Sequence, residues 1–507
     1  MVKSVRRDEN MKKKLFWFFI AIVCLFTACI CVNYDYDFFA RIIVGERFIE
    51  QGILPYQDFL SYTPTHPWYD HEWGSGVIFY LMLKLFGPIG IPLLYSVMLW
   101  GTIFFVTQAQ RVQKHAYPAS IIFTIIFITL FFRLNPTLVR CQLFSFFFFA
   151  LFIYILEKQR KSGTKLIWFI PLFTIIWNNL HGGVVAGLGL LFMYTVGEFL
   201  NRKNVKKYFL TLALSIPLLM INPYGIKYLK FLFSATTMTR KYITEWWTLF
   251  AHRHLMYYIY PAIFCVFGFI THLIHCIRKR KVDYTKLIIL TVTIIEGIMH
   301  VKLLTLSLIA TSALCYNDIF RLFIKSKRLL KPIENSLYFV IITIAFSIPL
   351  FSPDIARCNL ESFPFYEVEF LKLNNIKGNI VAPFSRAGYV AYKLYPDNLI
   401  YMDGRYEEVY NDKEFNILRR YELGEDDWRT IINNYNTDIL MPSKQTNIYK
   451  ILQNLPDWIQ IYDGVICGIF IKKENVKQLY IEPETNLDYY KKTMFYATHF
   501  GKKIKRK

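Results

Sequence analysis

The sequence contains no glycine-rich phosphate loop, no nucleophile elbow, no Walker pattern and no zinc-type cysteine spacing. The usual local signatures of nucleotide binding, acyl transfer and structural zinc are therefore missing. Charge is scarce as well: 19% of the 507 residues are charged, against 54% hydrophobic and 18% aromatic. A soluble domain is nearer a quarter charged, so the balance points to a membrane protein. Most cysteines (Cys24, Cys29, Cys31, Cys141, Cys265, Cys276, Cys315) lie in apolar runs and read as packing residues. Only Cys358 and Cys467 fall in a polar stretch, where a disulfide is an open option.

What the chain does have is repetition of apolar runs from Leu15 to about Phe351. The remaining ~150 residues are polar enough to fold in water and have the size of one domain. The net charge of +22 comes from Lys and Arg clustered between the apolar runs. That is the positive-inside signature of membrane orientation rather than a nucleic-acid footprint. The start, "MKKKLFWFFIAIVCLFTAC", has the shape of a signal peptide, and "FTAC" faintly resembles a lipoprotein cleavage site. Because further spans follow, an uncleaved first helix is the better reading.

Spans are expected near 15–32, 88–107, 119–133, 138–156, 165–180, 183–200, 207–222, 255–277, 284–299, 301–320 and 335–352. "EWGSGVIFYLMLKLFG" (72–87) is better placed as an interfacial helix than as a further span. With that choice "RVQK", "EKQRKSGTK", "NRKNVKK", "RKRK" and "KSKRLLK" all face the cytoplasm. The expected fold is thus an α-helical polytopic membrane protein of about eleven spans. The membrane domain is residues 1–352, with a first outer loop at 33–87, and an extracytoplasmic α/β domain follows at 353–507.

The outer face then collects Asp35, Asp37, Asp58, His66, Asp70, His71, Glu72, Arg133, Arg140, Asn178, His181, Asn222, Glu245, Glu296, His300 and Lys302. Orientation alone explains the cytoplasmic cations but not this set. Asp35 and Asp37 end the first span, where partial burial would raise a carboxyl pKa and suit a general base. The plain alternative is that Asp37 caps the helix "FFARIIVGERFIEQG". Arg133 and Arg140 sit at outer span ends on either side of Asn135-Pro136, against the orientation rule, and invite an anionic lipid phosphate. Headgroup snorkelling is the alternative. "WNNLHGG" supplies Asn178 and His181, with Gly187 and Gly189 beyond for close helix packing. "IIEGIMHVK" puts Glu296 and His300 on one helix face, with Lys302 next. His71 and Glu72 belong to a loop rich in Pro, Tyr and Trp, where a metal site matches no specific template.

In the tail, "GNIVAPF", "NLIYMDG" and "TDILMP" read as strands, and "WIQIYDGVICGIFIKK" as a hairpin. "AGYVAYKLY", "NDKEFNILRRYEL" and "EDDWRTIINNY" read as helices. Asp403-Gly404-Arg405 stands at a strand end, a usual place for a ligand or simply for a turn.

The acidic pair, "GERFIEQGILPYQDFLSYT…PW…HEW", "WNNLHGG", "NPYG" and "DGRYEEVY" together resemble bacterial multi-span proteins related to GT-C glycosyltransferases. Protein O-mannosyltransferases and aminoarabinose transferases share that superfamily. No sequon-binding motif of an oligosaccharyltransferase is visible. The resemblance implies an enzyme of the bacterial cytoplasmic membrane that moves a sugar from a polyprenyl-phosphate donor to a glycan, lipid or protein acceptor outside. It implies Asp37 or Asp35 as base, Arg133, Arg140 and Lys302 on the donor phosphate, and His71, Glu72, Asn178, His181 and His300 around the substrate. No cofactor is required; a divalent metal is compatible with the chemistry but not demanded by it. Nucleic acid is not an expected partner. A flippase of lipid-linked saccharide and a non-catalytic scaffold are the competing classes.

Overall fold

In the computed structural model, the described residues are 16–25, 28, 33–113, 117–134, 138–238, 240–252, 254–323, 362–477 and 479–485. The expected span at 335–352 and the turn at Asn135-Pro136 lie outside them. The chain forms two compact units. One contains Pro92–Arg357 and the N-terminal residues to Val32; the other contains Asn33–Ile91 together with Cys358–Lys507. The first loop, grouped with the membrane domain in the sequence reading, therefore shares its unit with the C-terminal region.

Helix α1 (Phe38–Gln51) buries its first nine residues, from Phe38 to Glu46, and stops at Gly52. Gly52 takes φ 72° and donates its N–H to Phe48 O at 2.8 Å, a left-handed stop that glycine adopts without strain. Helix α2 (Trp73–Phe86) crosses α1 at Gly45 and Gly76. A Cβ at either glycine would overlap the other helix's backbone, so both must stay glycine for the helices to meet. At 14 residues α2 is about 21 Å long, too short to span hydrocarbon alone.

The helical unit follows: α3 (Gly90–Val112), α4 (Tyr117–Leu134), α5 (Gln142–Ser162), α6 (Ile170–Leu180), α7 (Val184–Leu200), α8 (Lys206–Leu218), α9 (Ile226–Thr237), α10 (Leu255–Lys279), α11 (Tyr284–Met299), α12 (Leu304–Leu314) and α13 (Tyr316–Phe323). Among the described residues, three helical runs are long and apolar enough to cross a membrane: Trp73–Val112, Gln142–Ser162 and Leu255–Lys279. Phe192, Phe199, Phe209, Phe233, Ile263 and Ile277 stand exposed, as side chains that meet lipid would. The small helix α9 was not expected from the sequence.

Two ionic clusters mark opposite ends of α5 and α11. At one end Arg160 bonds Glu198 at 2.6 Å and also pairs with Asp283, just before α11. At the other, Arg140 precedes α5 and Lys302 follows α11. With α5 at 21 residues, its ends are about 31 Å apart. Of the two glycines expected to allow close packing, Gly187 abuts the Trp177 ring, while Gly189 has nothing within 4 Å.

The C-terminal part adds α14 (Phe365–Leu373), β1 (Gly378–Val381), α15 (Ala387–Leu394), β2 (Asn398–Ile400), α16 (Tyr406–Val409), α17 (Asp412–Leu423), α18 (Thr430–Asn433), β3 (Ile439–Leu440), α19 (Asn447–Leu452), β4 (Trp458–Asp463) and β5 (Gly468–Lys472). The sheet order is β2-β1-β3-β5-β4. β1 pairs in parallel with β2 and β3, and the closing hairpin β4–β5 is antiparallel. Only Thr430–Asn433 of the helix expected over 425–435 forms. Cys467 is a buried free thiol; Cys358 lies outside the described residues.

The first loop completes this sheet. Tyr62 N donates to Ile400 O at 3.1 Å and Ile400 N to Leu60 O at 2.9 Å, extending the edge at β2. Fully buried Phe39 of α1 packs against Phe363, Tyr389 and Tyr392 at 5.1, 5.0 and 5.5 Å between centroids. Burying an aromatic of this size contributes roughly 2 to 3 kcal/mol, so loop and tail share one core.

Candidate functional site

The expected site residues fall into both units, and each set is described within its own.

In the first-loop unit, Asp35 is buried and Asp37 half-buried. Asp37 occupies the position before α1 but its side chain makes no capping bond. Asp35 does the local structural work instead: its Oδ1 accepts from Asp37 N at 2.9 Å, and its carbonyl accepts from Phe38 N at 3.1 Å. The capping alternative for Asp37 therefore fails. Its carboxylate lies against Gly404, where a Cβ would overlap Oδ1. The Asp403-Gly404-Arg405 turn is thus beside the acidic pair. Arg405 is fully buried, bonded to Asp403 at 2.8 Å, to Asp58 and to the Tyr410 hydroxyl at 3.0 Å, and stacked over Trp68 at 4.5 Å. All its charge is used in holding the turn.

His71 and Glu72 join a second buried cluster around Arg41. Arg41 bonds Asp70 at 2.9 Å, Glu72 at 2.7 Å and Glu408 through both terminal nitrogens. His71 Nδ1 lies 3.2 Å from Glu408, which also accepts from Trp68 Nε1 at 2.7 Å. Burial pushes the His71 pKa down, but Glu408 and Glu72 outweigh it and lift the imidazole to about 9. At Asp70 burial prevails over Arg41 and lifts the carboxyl to about 6. Glu408 resists the same burial because Arg41 and His71 both face it, and it stays below the usual carboxylate range. Asp70, His71 and Glu408 could present ligand atoms within 4.8 Å of one another. Arg41 already pairs with two of these three groups and His71 with Glu408, so the donor set fits an ion-pair lock better than a metal site.

In the helical unit, Arg140 and Lys302 line a cavity of about 200 Å³ between α3, α4, α5, α10 and α12. Glu245 bridges them, paired with Arg140 and 3.6 Å from Lys302. Burial pushes this carboxyl up, but Arg140 and Lys302 overcome it and hold the pKa at about 2. Phe131, Leu134, Leu138 and Phe146 form much of the remaining wall. Arg133 does not line the cavity: it donates to Met256 O at 2.7 Å and stacks on Tyr260 at 4.7 Å.

Three expected substrate contacts are occupied by the fold. Asn178 is fully buried and donates to Leu219 O at 3.0 Å, tying α6 to the end of α8. His181 Nδ1 accepts from Gly183 N at 3.0 Å and from the Ser145 hydroxyl at 2.6 Å, while Trp177 Nε1 donates to Ser145. That pattern fixes the neutral ring with its proton on Nε2. His300 follows the last turn of α11 and donates from Nδ1 to Trp246 O at 2.9 Å, while Glu296 is exposed. The expected Glu296–His300 helix-face pair does not form, because α11 ends at Met299 and His300 is extended. Sequence reasoning missed Arg41 and Glu408, named Arg405 only as part of a strand-end turn, and placed Glu245 on the outer face without a partner.

No protein-family profile matches the sequence, and no curated protein does. The fold does have a solved counterpart. The crystal structure of the Archaeoglobus fulgidus oligosaccharyltransferase in its apo form matches with a TM-score of 0.55 and 10% identity, covering 85% of this chain and 69% of that one. At that identity the likeness is one of fold.

Proposed function

We infer that this chain is a membrane glycosyltransferase of the GT-C type, transferring a sugar from a polyprenyl-phosphate donor to an extracytoplasmic acceptor. The observation that carries this reading is the cavity in which Arg140 and Lys302 converge. Two cations and one carboxylate in a largely apolar wall leave a single positive charge, which suits a lipid-borne phosphate. The oligosaccharyltransferase-like fold supports glycosyl transfer as the class of chemistry. Asp37, beside the Gly404 turn and not engaged in capping, is the better candidate base; Asp35 is held in two backbone bonds.

The reaction is a displacement at the anomeric carbon. The acceptor oxygen loses its proton to Asp37 as the new C–O bond forms. The old bond to the phosphate oxygen breaks, and Arg140 and Lys302 stabilise the charge that develops there. His181 and Asn178 act through the fold in this scheme, holding the helices rather than touching sugar.

The test is transfer or hydrolysis of a radiolabelled sugar by purified protein given polyprenyl-phosphate sugars. Asp37→Asn should abolish it with the protein still folded. Movement of intact lipid-linked sugar without bond cleavage would replace the enzyme reading with transport. Full activity in both Asp35→Asn and Asp37→Asn would remove the proposed base.

A further inference from the structure

Glu245 lies on a short segment between α9 and α10 that is built into the cavity wall. Its neighbour Trp246 stacks under Arg240 at 4.2 Å and lies 5.3 Å from the Lys302 ammonium. The same residue's carbonyl accepts from His300 Nδ1 at 2.9 Å, and the Trp247 carbonyl accepts from Val301 N at 3.2 Å. Bonds at His300 and Val301, the two residues before Lys302, therefore register the segment 245–247 against 300–302. Among the described residues that line the cavity, only Arg140, Lys302 and Glu245 are charged side chains.

We propose that Glu245 is the specificity-determining residue for the donor phosphate: by bridging Arg140 and Lys302 it sets the cavity at one net positive charge, matched to a phosphodiester rather than a diphosphate. This rests on the reading of the cavity as the donor site. A sugar phosphodiester brings one negative charge and leaves the site neutral. A diphosphate brings a second, which must sit beside the Glu245 carboxylate in a wall too apolar to screen it. Glu245 does not touch the reacting atoms; it acts through the two cations it positions.

The experiment measures binding of a hexosyl phosphoprenol and a hexosyl diphosphoprenol, with the same sugar and chain, to the full-length protein in nanodiscs. Wild type should favour the phosphodiester by roughly tenfold or more. Glu245→Gln should lose that preference and gain affinity for the diphosphate, while Glu245→Asp keeps it. The double variant Glu245→Gln/Lys302→Gln returns the net charge to one and should recover the phosphodiester preference. This recovery is something a purely structural role would not produce, and it carries the test if Glu245→Gln alone does not fold. An unchanged ratio in folded Glu245→Gln, or no recovery in the double variant, overturns the inference while leaving the donor site standing. Failure of wild type to bind either lipid overturns both. Inorganic phosphate competing as well as the lipid would make the cavity a plain anion site and overturn the lipid assignment.

Discussion

The carboxylate of Asp37 rests directly on the backbone of Gly404, so closely that a methyl group at that glycine would occupy the position of Oδ1. A residue before the first loop helix is thereby positioned by a turn more than three hundred residues later in the chain. Gly404→Ala should displace Asp37 without touching it chemically. Sugar transfer should fall to the level of Asp37→Asn, while stability drops only by about 1 kcal/mol, because a side-chain tip can yield. Activity and thermal unfolding measured on the same preparation decide this; normal transfer by the alanine variant would disconnect Asp37 from the chemistry.

Arg41 is bonded to Asp70, Glu72 and Glu408, with His71 the second basic group beside Glu408. Arg41→Met leaves buried carboxylates facing one another and should cost about 3 to 5 kcal/mol. Urea unfolding of the detergent-solubilised protein would reveal the loss. A stability within experimental error of wild type would show that the cluster is better hydrated than its burial indicates.

The His71 imidazole is held at about 9 in the folded state against an ordinary 6.5. Its folded pKa is raised, so its contribution is fully present below pH 6.5 and is lost as pH rises through 9. Asp70, raised to about 6 from 3.8, has the same sign at lower pH. The melting-temperature gap between wild type and His71→Gln should therefore narrow from about pH 6 to about pH 10. A gap that widens over that range contradicts the Glu408 pairing.

His181 bonds within the corner it turns, to Ser145 and Gly183. His181→Ala should lower stability by roughly 1 to 2 kcal/mol and leave the donor KM of the remaining folded enzyme unchanged. A selective rise in donor KM would return His181 to the substrate.

Much of the architecture was legible in the residues. Alternation in "GNIVAPF" and "WIQIYDGVICGIFIKK" marked strands that form β1 and the β4–β5 hairpin. The periodic stretch from Phe38 ended where Gly52 said it should. The meeting of Arg140 and Lys302 followed from treating both as outer span ends. What could not be read was partnership at a distance. Nothing near Arg41 names Glu408, 367 positions away, and nothing near Glu245 names the cations it joins. Asn178 and His181 looked like site residues because polar groups at span ends are costly. Here Asn178 donates to a backbone carbonyl and His181 accepts from a serine and a backbone N–H, partners which sequence spacing does not reveal.

The docking of residues 60–62 on the β2 edge also has a bearing on how the protein is made. During synthesis the loop emerges long before the strand it must join. Until the ribosome delivers the tail, Arg41 and the unpaired loop backbone have to wait in water or with a chaperone. A chain cut short after the helices would keep that need unmet, and a tail produced by itself would present an open, adhesive margin. Co-expression of the two fragments, rather than either alone, is the route by which a split version of this protein should fold.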